Sequence, residues 1–191
     1  MNAIFKREFK AYFTSPIGFA VLAIFYVISG LLFAVFFEAG QPDISGIFSP
    51  GLFLCALIII PILTMRLFSE ERHQKADQLV MTAPVKITSV VLGKFFAAFA
   101  VYAIAVSITL VYQIIITFYI ATDWMVFLGN FIGTLVFGAA LIAMGMFLST
   151  LTEVQVVVAV ATYALELGLV LIPSFIVSFL SSSENAFTKV I

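Results

Sequence analysis

Charge is scarce in this chain, and so are the residues that usually carry chemistry. Only 10% of its 191 residues are Asp, Glu, Lys or Arg, and it has a single His, a single Cys and a single Trp. One cysteine excludes a disulfide framework within the chain and a Cys-based zinc site, and one histidine excludes a conventional His-based metal site. The few basic residues form no patch suited to nucleic acid. A phosphate-cradling loop is also missing. The only Gly-Lys pair, Gly93-Lys94, is followed by Phe95 rather than Ser or Thr, and Thr88 stands where the upstream Gly belongs. The chain therefore does not hydrolyse ATP by that chemistry.

What is abundant is apolar surface. Hydrophobic residues make up 63% of the chain and the mean hydropathy is +1.22, whereas a soluble domain averages about 45–50% apolar. Spanning a bilayer takes about 20 apolar residues in a helix, because each backbone N–H and C=O must be satisfied within the segment. Five runs meet this description: Ile17 to Phe37, Phe48 to Met65 with Pro61 near its end, Phe95 to Thr122, Trp124 to Thr152, and Val154 to about Ser181. The first exceeds the length of a signal-peptide core, about 7–15 residues, and is read as a retained span. The expectation is an all-α polytopic membrane bundle of about five transmembrane helices, forming a single domain over residues 1–191.

The basic residues orient it. Lys6, Arg7, Lys10, Arg66, Arg72, Lys75, Lys86 and Lys94 all lie before the first run or between the second and third; only Lys189 lies elsewhere. Short loops rich in Lys and Arg stay in the cytoplasm, so the N-terminus is expected inside. Gln41-Pro42-Asp43 and Asp123-Trp124 then mark external turns, and Thr152-Glu153 a tight internal one. Gly168 and Pro173 are expected to interrupt the fifth run, leaving a re-entrant or interfacial piece after about Leu171.

Ahead of the first span, Phe5, Phe9, Tyr12 and Phe13 recur at helical spacing, with Lys6, Arg7 and Lys10 mainly on other faces. Residues 1–16 thus read as an amphipathic interfacial helix ended by Thr14-Ser15-Pro16, or as a plain basic anchor. Residues 66–94 form a long connection that divides into two helices. Ser69 is the expected N-cap of the first, Glu70 and Glu71 lie in its first turn, and Pro84 stops it; Lys86 to Val91 begins the second, which leads through Gly93-Lys94 into the third span. A charged helix just below a membrane is either a handle for a soluble partner or a solvated loop that only enforces topology.

The run Ser69-Glu70-Glu71-Arg72-His73-Gln74-Lys75-Ala76-Asp77-Gln78-Leu79-Val80-Met81-Thr82-Ala83-Pro84-Val85, followed by Leu92-Gly93-Lys94-Phe95, closely resembles the signature loop of ABC-2 type transporter permeases, particularly the gliding-motility-associated and related bacterial branch. Residues Arg7 to Pro16 resemble that family's entry helix, and Gly145 to Gln155 its exit from the fourth span. Ala76 stands where the family often has Thr, and Val80-Met81 replaces a Leu-rich pair.

The resemblance implies a permease of a bacterial plasma membrane, acting in export, whose coupling helix docks in a groove of a separate ATP-binding subunit. Glu70, Glu71, Arg72, Lys75 and Asp77 are the expected contacts, with Leu79 and Val80 packing against the groove. It also implies two permease subunits, identical or related, paired around the route, with membrane lipid as surroundings and no cofactor. Members commonly have six spans, so a chain of five with a short tail over 182–191 is expected to be truncated or a fragment.

Glu166 lies near the middle of the fifth run, where a charged group costs roughly 2.5–3.5 kcal/mol, so it is expected protonated, paired or facing a protein or water cavity. Thr162 and Tyr163 share its helical face and are the expected hydroxyl partners. That face borders either the translocation path or the permease pairing surface, or else Glu166 is a satisfied structural carboxyl. Gly129-x-x-x-Gly133 permits close helix approach in the fourth span. His73 reads as a solvated helix residue. A scaffold component of an ABC-type complex is the alternative to a permease. An intramembrane enzyme fits poorly, since Glu166 has no second carboxylate at its depth.

Overall fold

The computed structural model describes residues 2–38, 52–69, 87–119 and 122–188, and every regular element among them is helical. Helix α1, Asn2–Thr14, carries the aromatic stripe. Phe5 stacks on Phe9 and Phe9 meets Phe13 at a tilt, with centroids 5.7 and 5.0 Å apart, and all three pack against the core while Lys6, Arg7 and Lys10 stay exposed. The stripe therefore covers protein: α1 lies along the start of α4. Thr14 closes α1 by donating to the Lys10 carbonyl at 2.8 Å. Pro16 then opens α2, Pro16–Glu38, at the position where a missing N–H is harmless. Gly18 allows the sharp corner, because a Cβ there would sit 2.1 Å from the Tyr12 carbonyl oxygen.

Helix α3, Phe53–Thr64, lies in the middle of the bundle and touches α2, α4, α6 and α7. Leu52, Cys55, Ala56, Ile59, Ile60 and Leu63 are all buried. The second span was expected from Phe48 to Met65; only this shorter helix is described, and residues 48–51 lie outside the described residues. Helices α4, Ile87–Val106, and α5, Ile108–Tyr119, form one 33-residue apolar rod bent at Ser107. The bend has a local cause: Ser107 and Thr109 donate to the carbonyls of Ile104 and Val106, at 2.6 and 2.8 Å, which loosens the helical ladder. At about 50 Å the rod exceeds the hydrocarbon thickness of about 30 Å, an excess that tilt or an interfacial extension accommodates.

Helix α6, Trp124–Ser149, is capped by Asp123, whose carboxylate accepts from the Met125 amide at 2.9 Å. The tight turn expected at Thr152-Glu153 follows it, and α7 spans Gln155–Thr188. The break expected at Gly168 and Pro173 does not occur, because the backbone stays helical through both. A proline forfeits one hydrogen bond of the ladder, and in an apolar setting the remaining backbone groups are satisfied only by continuing the helix. Four described segments are long and apolar enough to cross a membrane: 18–38, 87–119, 124–149 and 155–173.

Small residues set the close contacts. Gly138 of α6 lies under the Tyr102 ring and Gly145 under the Thr64 side chain. The expected Gly129–Gly133 approach is not used among the described residues, where a Cβ on either would meet nothing within 4 Å.

Candidate functional site

One group of described polar side chains lies where α1, the end of α3, the start of α4 and the end of α6 meet. A helix end leaves its last carbonyls without partners, and here several are answered. The Thr64 hydroxyl donates to the Ile60 carbonyl at 2.9 Å and the Met65 amide to that of Pro61 at 3.0 Å. Leu63 accepts from the Tyr12 hydroxyl at 2.9 Å, Thr64 from the Leu67 amide at 3.1 Å, and Met65 from the Ser69 hydroxyl. The Leu67 carbonyl accepts from the Lys94 ammonium at 2.6 Å. The Phe68 and Ser69 amides both donate to the buried Ser149 hydroxyl, at 3.0 and 3.2 Å. Residues 67–69 are thus held by side chains of α4 and α6, and Tyr12 of α1 holds Leu63 just before them.

Charge surrounds this turn. Lys94 is buried, 3.7 Å from a Glu8 carboxylate oxygen and 5.1 Å from the Phe68 ring centroid. Glu8 also pairs with Arg7 at 2.7 Å, and the Arg66 guanidinium donates to the Ser15 hydroxyl at 2.7 Å. A shallow pocket lies beside it, lined by Glu8, Ala11, Tyr12, Arg66 and Leu67. All five described basic residues, Lys6, Arg7, Lys10, Arg66 and Lys94, lie at this end of the bundle. Glu38 and Asp123 lie at the other, where Phe37 meets Tyr119 at 5.3 Å.

A family model described as ABC-2 family transporter protein matches residues 37–191. The chain belongs to the ABC-2 transporter family. No curated protein and no solved structure matches it. ABC-2 permeases are multi-pass membrane subunits of transporters rather than enzymes themselves, and they normally work with an ATP-binding subunit. The four long apolar helices fit that membership.

Of the residues expected from sequence to matter in an ABC-2 permease, Glu70, Glu71, Arg72, Lys75, Asp77, Leu79 and Val80 lie outside the described residues. Ser69, just before them, belongs to the tied turn. Thr162 and Glu166 are both fully buried, whereas Tyr163 is 43% exposed. The hydroxyl partnership expected for Glu166 is absent. Thr162 donates to its own helix at the Val158 carbonyl, 2.8 Å away, and both Glu166 carboxyl oxygens lack a hydrogen-bond partner among the described residues. A hydroxyl in a helix finds the carbonyl four residues back more readily than a side chain on the next turn.

Sequence reasoning missed Glu8, Tyr12, Lys94 and Ser149 as a unit. One signal was available. Lys94 has Val90, Val91, Ala97 and Ala98 as its helical neighbours, and a lysine inside such an apolar stripe must find acceptors on another element.

Proposed function

We propose that this chain is the permease subunit of a bacterial ABC exporter and that a separate ATP-binding subunit drives it through residues 69–86. The observation that carries this reading is the tied turn. The last described residues before the segment expected to meet the motor, Leu67 to Ser69, are tied to α4 and α6, and α4 begins at Ile87 directly after that segment. A displacement of the segment would therefore reach several helices together. Glu70, Glu71, Arg72, Lys75 and Asp77 would make the contacts, with Leu79 and Val80 in the groove. Collection of the described basic residues at this end supports a plasma-membrane orientation with the N-terminus in the cytoplasm.

Two permease subunits, identical or related, would pair around the route. Glu166, beside Thr162 and with Tyr163 at the outer face of α7, would border that route or the pairing surface. A buried carboxyl without a hydrogen-bond partner among the described residues supports this placement.

The test is reversal of Glu70, Glu71 and Arg72 together. Rim charges contribute about 0.2–1 kcal/mol each, so single changes are expected to be mild and the triple change to uncouple. The readouts are copurification of the ATP-binding subunit and permease-stimulated ATP hydrolysis in proteoliposomes. Normal values for both after triple reversal reject the assignment.

A further inference from the structure

We infer that Lys94 is a positioning residue whose ammonium, bonded to the Leu67 carbonyl and facing Glu8, fixes the turn that immediately precedes Ser69. The inference rests on the reading that residues 69–86 meet the ATP-binding subunit, and it names what aims them.

The argument starts from burial. Lys94 is 1% exposed, on a helix whose buried residues are otherwise apolar or small apart from the Tyr102 hydroxyl, from Val90 through Ala97, Ala98 and Val101 to Val106. A leucine or methionine would fill the same space without taking a charge out of water, so packing alone gives no reason for lysine here. Its contacts do. The Leu67 carbonyl belongs to a turn and, among the described residues, accepts from the Lys94 ammonium. That bond is 2.6 Å long, and the Phe68 ring lies across the ammonium's other side.

Glu8, at 3.7 Å, extends the bond to α1. That helix is held so close to α4 that a Cβ at Gly93 would come within 2.9 Å of Ile4. From the opposite side Ser149 of α6 accepts the Phe68 and Ser69 amides. Carbonyl and amides on neighbouring residues are thus held by different helices, which fixes both position and rotation of the turn. A bond on one side alone would leave it free to swivel.

The experiment uses the full chain in lipid nanodiscs in a Cys55→Ala background. One spin-label pair, at Gln74→Cys and Thr150→Cys, reports the segment's position relative to α6. A control pair, at Glu38→Cys and Met125→Cys, reports the opposite end. Lys94→Met is expected to broaden the first distance distribution by about twofold while leaving the control unchanged, and to weaken association with the ATP-binding subunit by about tenfold, the size of one lost charge-assisted bond.

Lys94→Arg, which keeps a charged donor, is expected to restore much of both; Lys94→Gln serves as a second neutral variant should Met hinder folding. A mere packing role predicts the reverse, with Met tolerated and Arg disruptive. An unchanged first distribution in Lys94→Met or Lys94→Gln overturns the inference, and so does a broadened one with unchanged association. Failure of the Glu70, Glu71 and Arg72 reversal to uncouple would instead strike the docking assignment, which the spin-label distances do not depend on.

Discussion

Replacing Gly138 by Ala adds one methyl group, and the structure says where it goes. The new Cβ would lie 2.1 Å from Cε1 and 2.4 Å from Cζ of Tyr102, far inside contact distance. Tyr102 cannot swing aside freely, because it is buried and its hydroxyl donates to the Thr134 carbonyl, 3.1 Å away and one turn earlier on the same helix. Overpacking of this kind costs about 1–3 kcal/mol. A displaced phenol adds about 1–3 kcal/mol for a buried hydroxyl without its acceptor. Alanine's better helix propensity returns about 0.5–1 kcal/mol.

The expected net loss is about 2–4 kcal/mol, or about 5–10 °C in Tm on the scale for a chain of this length. Gly133→Ala on the same helix is the control, since its Cβ meets nothing within 4 Å among the described residues. It should change Tm by no more than about 2 °C. The assay is heating of purified protein in detergent, with the folded fraction read by size exclusion. Adding Tyr102→Leu should make the Gly138→Ala loss smaller, because the two groups compete for one space. Equal shifts for the alanines at 133 and 138 would refute the packing argument.

Ser149→Ala should leave the Phe68 and Ser69 amides without their shared acceptor, at about 1–3 kcal/mol for each orphaned group. Hydrogen exchange at those two amides is expected to accelerate selectively; unchanged protection would mean that Ser149 does not hold the turn. Glu166→Gln keeps the shape of a carboxyl that has no hydrogen-bond partner among the described residues, so folding should persist. Transport or assembly of paired permeases should fall, and wild-type values for both would leave Glu166 a structural carboxyl only.

Much of the architecture is written in the order of residues. The apolar runs declare helices, the aromatic recurrence from Phe5 to Phe13 declares α1, and Asp123 and Thr152 mark turns where the structure has them. Pro173 misleads, because a rule learned from water-exposed helices expects a break. Where no water replaces a lost backbone bond, an unbroken helix satisfies the remaining groups best. Glu166 is half legible: its burial follows from its depth, but which neighbour answers it does not.

By itself the sequence determined that this is a helical membrane protein with one basic end, because hydropathy and the placement of Lys and Arg act through the bilayer and need no knowledge of which helices touch. Tertiary structure alone decided that Glu8, Tyr12, Lys94 and Ser149 converge on the turn before Ser69. These residues come from three helices far apart in the chain. Their meeting depends on close approach at Gly93, Gly138 and Gly145, a matter of shape that no local pattern encodes.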